Sequence, residues 1–560
     1  MNKTNIIVVA LTIGTLSSCV VTPTDAPNNI YGTLEPFAKE AVYFALTDRF
    51  VDGDKSNNYP EQGLDWGNGE WGSYNRVLVG PNNQQANVGY VGGDFQGVIN
   101  NLDYIKDLGF TAIWLTPIWD NPNMAFNGGE TITYDGGYKD GGKTGYHGYW
   151  AHNFYQADEH LVSDSLSFKK FSQTLKQNNL KFVLDIVANH GSPAYTMEVD
   201  QPLFGEIYNK AGELVADHKN LHPTKLDKND PLQNFYNSHT GLAQLSDINE
   251  NNEAAFDYLT DAYLYWIEQG VDALRIDTIR EMPHAFWARV ADKVRSKNPG
   301  MFMFGESYSY DANFIAQHTY AKNGGVSVLD FPGRESITTI FENSDSHYRD
   351  IQSYLHLTDN LYANPYELMT FYDNHDMPRM NADDNGFIDA NNWLFTSRGI
   401  PVIYYGSEIN FMTGKAEHQG NRNYLGQEKI NTAPQNPIHQ NLKAIANIRK
   451  THIALQQGVQ VNLQFTQHTA AFYRIFQHNG VNQTALVLLN KSDALKSIEL
   501  STLVNKGEWK NVSDFSTLNI EHHDDPTTVE VKPHGVAVFI LNEKITHPDL
   551  LSIVLKNQAI

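Results

Sequence analysis

Asp277 stands two residues after Arg275 at the end of a short apolar run, Ala273–Asp277. Glu306 ends a second such run, Phe302–Glu306, and Asp373-Asn374-His375-Asp376 follows a third, Glu367–Tyr372. A fourth, Phe182–Val187, carries Asp185 and leads into Asn189-His190. Singly, an aspartate after a strand is a common cap or turn residue. Together, the carboxylates of Asp277, Glu306 and Asp376 with His190, His375 and Arg275 form a set with chemical capacity. A protonated carboxyl can deliver a proton while an ionised one attacks an electrophilic carbon.

Such residues converge only if the runs are parallel strands ending on one face. Eight candidates recur: Ala41–Leu46, Ala112–Thr116, Phe182–Val187, Ala273–Asp277, Phe302–Glu306, Val326–Phe331, Glu367–Tyr372 and Pro401–Tyr405. Their apolar, β-branched character suits strands buried on both faces. Between them lie helical patterns, among them Val98–Leu108, Ser167–Gln177, Asn252–Gln269, Phe286–Ser296 and Ile351–Thr358. This alternation predicts an α/β fold, a TIM (β/α)8 barrel, with a doubly wound sheet as the alternative. The barrel would occupy residues 37–190 and 247–452. Residues 191–246 are too many for a simple connection and read as a small domain inserted after strand three. Asn121–Gly145, rich in Gly, Asn and Asp, reads as a long loop. Beyond residue 453 the pattern turns to short alternating strands, which predicts a C-terminal antiparallel β-sandwich over 453–560.

The motifs, in this order, resemble the α-amylase family of retaining glycoside hydrolases. Gly109-Phe-Thr-Ala-Ile-Trp-Leu-Thr-Pro117 is similar to the family's second strand, and Gln244-Leu-Ser-Asp247-Ile-Asn249 to its short motif near the end of the insert. Gly399-Ile-Pro-Val-Ile-Tyr-Tyr-Gly406-Ser-Glu408 is similar to its eighth strand. The resemblance spans about residues 38–545 and implies cleavage of α-1,4-glucosidic bonds. Asp277 would be the nucleophile and Glu306 the acid/base, as retaining cleavage through an oxocarbenium-like transition state requires. Asp376 would bind sugar hydroxyls and favour the distorted ring. Glu306 is expected among Phe302, Phe304 and Tyr308, an apolar setting that would keep it protonated. Arg275 would hold Asp277 ionised and oriented. His190 and His375 would donate to the sugar, Tyr149 would stack on it, and His147 and Asp185 would support the site from beside it.

The resemblance also implies structural calcium, at two sites. Asp52, Asp54, Asn57, Asn58 and Asp94, with the carbonyl of Gly92, are similar to a site of cyclodextrin glucanotransferases and related amylases. Oxygen-rich ligands at such spacing suit calcium, though alone they read as a polar turn. Asn189, Asp247 and the carbonyl of Glu281 are similar to a second site, between barrel and insert.

Several positions depart from the pattern. Arg280-Glu281 stands where many amylases carry Lys-His, which alters the leaving-group side of the cleft. Ala243 replaces the aromatic of the cyclodextrin-forming enzymes, and the chain ends before their additional starch-binding domains. Both argue against efficient cyclisation. A plain endo-acting α-1,4-glucan hydrolase is expected, with a maltooligosaccharide-forming amylase or a transglycosylase as the alternative. A non-catalytic starch-binding lipoprotein is more distant, because Asp277, Glu306 and Asp376 are all present.

Composition bounds the remainder. The chain has 41 Lys+Arg against 64 Asp+Glu, a formal charge of -23, which leaves no basic footprint for nucleic acid. Its one cysteine allows no intramolecular disulfide or thiolate-based zinc site. That cysteine ends Leu16-Ser17-Ser18-Cys19, after a mostly apolar stretch too short to span a bilayer. It resembles the lipobox of bacterial lipoproteins, which implies a signal peptide over 1–18, a lipidated Cys19 and a tether over 19–36. Val20 after the cysteine suggests the outer membrane. The expected protein is a monomer, exported and lipid-anchored, acting on an α-glucan.

Overall fold

The computed structural model describes residues 29–137 and 139–558. Cys19, the signal segment and most of the expected tether lie outside the described residues.

Eight strands form the central sheet: β1 (Val42–Ala45), β2 (Ala112–Leu115), β3 (Lys181–Ile186), β4 (Ala273–Ile276), β5 (Phe302–Gly305), β6 (Ser327–Val328), β7 (Met369–Thr370) and β8 (Ile400–Tyr404). Neighbours in space are neighbours in sequence, and every pairing is parallel. β1 pairs with both β2 and β8, and a parallel bridge between Leu329 and Met369 joins β6 to β7. The sheet therefore closes on itself as a TIM barrel. Nearly every strand residue is buried, as both-face burial requires.

The strands lie where the apolar runs placed them, to within about a residue at each end, but two are cut to two residues. Val326–Phe331 contains only β6, because Asp330 caps a helix over Phe331–Phe341 by accepting from the Gly333 N–H at 3.0 Å, with Pro332 in its first turn. Glu367–Tyr372 contains only β7, because Pro365–Glu367 is a 3-10 turn. Of the helical patterns, Val98–Leu108 divides at Asn101 into Phe95–Asn100 and Leu102–Asp107. Ile351–Thr358 is corrected to a 3-10 segment, Tyr348–Tyr354. Ser167 and Asn252 cap the helices Phe168–Gln177 and Glu253–Ile267 with their side chains.

The segment after β3 leaves and rejoins the barrel through one antiparallel pair, His190–Pro193 with Leu245–Asp247. A second hairpin, Glu206–Tyr208 with Leu214–Asp217, lies within it. Beyond the barrel stand β9 (Val459–Phe465), β10 (Thr469–His478), β11 (Val481–Asn490), β12 (Lys496–Leu500), β13 (Gly507–Asn511), β14 (Thr517–Ile520), β15 (Thr527–Val531) and β16 (Gly535–Leu541). Six form an antiparallel sheet in the order β9-β10-β11-β16-β13-β14, and β12 pairs with β15. Their own core includes Tyr473, Leu486, Trp509 and Phe539. Ile30 bridges Gln477, so the first described residues join this sheet before the chain enters the barrel.

Candidate active site

Asp277 follows β4, and Glu306 follows β5. Their backbones are tied to neighbouring strands: the Asp277 N–H donates to Ile186 O at 2.8 Å, and the Glu306 N–H to Ile276 O at 2.7 Å. Thr278 then adopts φ 46°, a left-handed conformation costly for a β-branched residue, and opens the turn Ile279–Glu281. Its N–H points at Glu306 Oε2, 3.4 Å away.

Arg275, on β4 and fully buried, organises the carboxylates. Its Nη1 donates to Asp277 Oδ1 and to Asp185 Oδ1, both at 2.8 Å. Its Nη2 lies 3.0 Å from Glu306 Oε2, a close ion pair outside hydrogen-bond geometry. Asp185 Oδ2 accepts from Trp114 Nε1 and from the Tyr149 hydroxyl, both at 2.9 Å. Gly148 makes this placement of Tyr149 possible: it has φ +86°, and a Cβ there would stand 2.0 Å from Pro117 O. The Tyr149 ring lies parallel to His375, with centroids 5.4 Å apart. His375 Nε2 is 3.2 Å from Asp376 Oδ2, and Arg422 Nη2 is 2.6 Å from Asp376 Oδ1.

Charge is crowded here. Burial pushes the Glu306 carboxyl well above its ordinary range; Arg275 opposes this, and Asp277 and Asp376 reinforce it. Burial likewise pushes Asp185 up to about 7 against the pull of Arg275, and raises Asp376 against that of Arg422. Burial lowers His147, His190 and His375, so these imidazoles are neutral at pH 7. Of the aromatics expected around Glu306, Tyr308 lines the cavity with it, while the Phe302 ring stacks on Phe37, which precedes β1, and Phe304 meets Trp114 edge-on. Burial is the main cause of the rise, as expected, and a guanidinium and other carboxylates add to the setting.

Asp277, Glu306, Asp376, Tyr149, His147, His190 and His375 line one cavity of about 650 Å³ with Trp150, Leu242, Ala243, Arg280, Glu281 and Tyr308, whereas Arg275 and Asp185 are fully buried and do not line it. Arg280 donates to Tyr308 O and pairs with Glu281 at 3.1 Å. Lys143, Glu417, His418 and Arg422 also line it. The motif reading missed these four. Lys143 lies in the long Gly/Asn-rich loop after β2, and the other three follow β8. Their one sequence signal is charge concentrated after a strand end.

The expected calcium positions divide into two groups. Asp52, Asn57 and Asn58 each keep an Oδ1 that is buried without a hydrogen-bond partner. Asn58 Nδ2 donates to Asp52 Oδ2 at 3.0 Å, and Asn57 Nδ2 to Asp94 Oδ2 at 3.3 Å. Gly92 has φ +98°, and a Cβ there would collide with the Asn58 amide at 2.5 Å. Buried oxygens without a partner among the described residues are the donor type that a hard cation takes. Asp54 fits less well than expected: its carboxylate caps Ser56, accepting from N–H at 3.0 Å and from the hydroxyl at 2.6 Å. Asp94 accepts from the N–H groups of Gly97, Gly53 and Asp54. At the second position, Asp247 Oδ1 accepts from Asn189 Nδ2 at 3.3 Å and from Asn237 Nδ2 at 3.4 Å, while Oδ2 is 3.5 Å from His239. The Glu281 side chain turns to Arg280.

Residues 44–447 match the family model described as alpha amylase, catalytic domain. The chain is 28% identical over 544 residues to the cyclomaltodextrin glucanotransferase of Klebsiella oxytoca, covering 88% of this chain and 76% of that protein. It is 30% identical over 433 residues to that of Bacillus licheniformis, covering 75% of this chain and 55% of that protein. Among solved structures, the alpha-amylase of Geobacillus thermoleovorans complexed with acarbose aligns with TM-score 0.67 and 26% identity, covering 91% of this chain and 99% of that one. A three-domain cyclomaltodextrin glucanotransferase aligns with TM-score 0.71 and 26% identity, covering 90% and 99%.

Proposed function

The chain belongs to the alpha-amylase family, and from that membership we propose that it cleaves internal α-1,4-glucosidic bonds of starch-like glucans with retention of configuration. The observation that carries this is a single guanidinium shared by Asp277 and Glu306, with the Glu306 carboxyl held protonated by burial and like charge. Asp277 attacks the anomeric carbon while Glu306 delivers its proton to the leaving oxygen. Glu306 then takes a proton from the water that releases the sugar from Asp277. Asp376 and the neutral His190 and His375 engage the hydroxyls of the reacting sugar. His147, His190 and His375 line the cavity where that polyhydroxy ligand would sit.

Transglycosylation is the second reading, favoured by the relatives named above. Chain length does not oppose it, since a three-domain cyclomaltodextrin glucanotransferase has been solved. Ala243 does oppose efficient cyclisation: it lines the cavity and offers only a methyl group. Products from maltoheptaose separate the two. Shorter oligosaccharides alone support hydrolysis, whereas oligomers longer than the substrate overturn it in favour of transfer. Starch and pullulan profiles then report linkage and endo or exo action.

Calcium and export belong to the same reading. Asp52, Asn57 and Asn58 would hold one structural ion, and Asn189 and Asp247 would contribute to a second. Bound calcium would supply a fixed positive charge that draws the 52–58 turn together and pins the insert beside the mouth, apart from the chemical step. Lipid attachment at Cys19 predicts that palmitate labelling of expressing cells marks the protein and that Cys19→Ser abolishes the label.

A further inference from the structure

The loop after β8 carries a partly buried chain of ion pairs that ends on Asp376. Glu417 Oε1 meets Arg422 Nη1 at 2.8 Å, His418 Nε2 at 3.0 Å and Lys143 Nζ at 3.3 Å. Arg422 points its other terminal nitrogen, Nη2, at Asp376 Oδ1, 2.6 Å away, and its Nε donates to His375 O at 2.9 Å. The next residue upstream completes the tie, because Asn421 Nδ2 donates to Asn374 O at 2.9 Å. Lys143 belongs to the loop after β2 and Glu417 to the loop after β8, so Glu417 joins the two banks of the cavity.

An arginine gripped at one nitrogen only retains rotamer freedom, and fixing it costs up to about 2 kcal/mol of side-chain entropy. Glu417 restrains Nη1 and the His375 carbonyl restrains Nε, which leaves one orientation for Nη2. That orientation faces Asp376. Lys143 in turn holds Glu417 at its post by donating to Oε1, so the chain is fixed before substrate arrives, as preorganised sites require.

We propose that Glu417 is a positioning residue: by fixing Arg422 it orients the Asp376 carboxylate for the distorted sugar, and so governs the chemical step without touching the reacting atoms. This rests on the glycoside-cleaving reading above.

The experiment is a double-mutant cycle read as kcat and KM on maltoheptaose, with thermal unfolding measured for every variant. Glu417→Gln is expected to lower kcat about tenfold with KM within about twofold of wild type. In an Arg422→Lys background the same substitution should cost less than about twofold, because the path to Asp376 is already broken. A wild-type kcat in Glu417→Gln, an equal loss in both backgrounds, or a change confined to KM overturns the proposal. Should Glu417→Gln fail to fold, Glu417→Asp keeps the charge while withdrawing it from Arg422, and an unchanged kcat there overturns the proposal equally. A wild-type protein that does not cleave maltoheptaose overturns the glycoside-cleaving reading itself, and this inference with it.

Discussion

Arg275 and Arg398 are both fully buried, yet their surroundings differ in kind. Arg398 lies where the barrel meets the C-terminal sheet, its own N–H donating to Gln460 Oε1 at 2.9 Å. It faces one carboxylate, Asp330, at 2.6 Å, and gives its remaining donors to Leu355 O and Tyr354 O. Charge there is balanced one to one and dipoles take the rest, which is how a buried ion becomes tolerable. Arg275 instead faces Asp185, Asp277 and Glu306, and its Nε and Nη2 are left without a hydrogen bond. A cation outnumbered by buried carboxylates keeps a proton on one of them. The imbalance that would weaken a structural site is, on the proposed mechanism, what would supply a general acid at neutral pH.

Glu306→Gln tests the carboxylate surplus around Arg275 most severely. It removes one carboxylate from the surplus and the proton with it. Activity on maltoheptaose should fall by about 10²–10⁴-fold while the melting temperature holds. Wild-type kcat should decline on the alkaline side only as pH passes the raised Glu306 value, because the protonated form is the active one. Activity that persists in Glu306→Gln would sink the assignment of roles.

Arg398→Met comes next, and its effect is on stability. It leaves Asp330 buried and unpaired, which costs about 3–5 kcal/mol, read from urea unfolding. The folded fraction should retain wild-type kcat. Adding Asp330→Asn, which removes the charge but can still cap Gly333, should recover much of the loss, whereas no recovery would show that Asp330 is not the group left unpaired.

How far the sequence revealed these two sites follows from the same contrast. Asp277, Glu306 and Asp376 were legible because each ends a buried strand, where strand pattern and chemistry coincide. Arg275 was legible by its period-two offset from Asp277. Glu417 and Arg422 were not, because they lie in a loop whose conformation is set by contacts with Lys143 and His375, distant in sequence. The Arg398–Asp330 pair carries no sequence signal, since the two residues are 68 apart and meet only when the barrel closes.

Between the two extremes stand carboxyl and amide oxygens that face no cation side chain, at Asp52, Asn57 and Asn58. Chelation with EDTA should lower stability by about 2–3 kcal/mol if calcium at about a hundredfold its Kd fills the turn. Added calcium should restore it. In an Asn57→Ala, Asn58→Ala variant most of the chelator's effect should vanish; an undiminished effect would move the ion elsewhere.

A half-buried pair tests the Arg398 rule with a smaller effect. His534, from the turn before β16, meets Asp389 of the barrel at 2.7 Å and Asp493 at 3.0 Å. Hydrogen bonding to Asp389 raises His534 to about 9, whereas burial raises Asp389 to about 6. A histidine raised in the folded state stabilises fully below its unfolded value, near 6.5, and loses that contribution as pH climbs through about 9. Its partner is ionised only above about 6, so the pair is complete between about 6 and 9. Since His534 is partly open to solvent, the gain should stay below about 1 kcal/mol. His534→Asn should therefore melt below wild type at pH 7, with the gap closing as pH rises past 9 and also as it falls below 6. A gap that stays constant across that range would mean the histidine contributes packing alone.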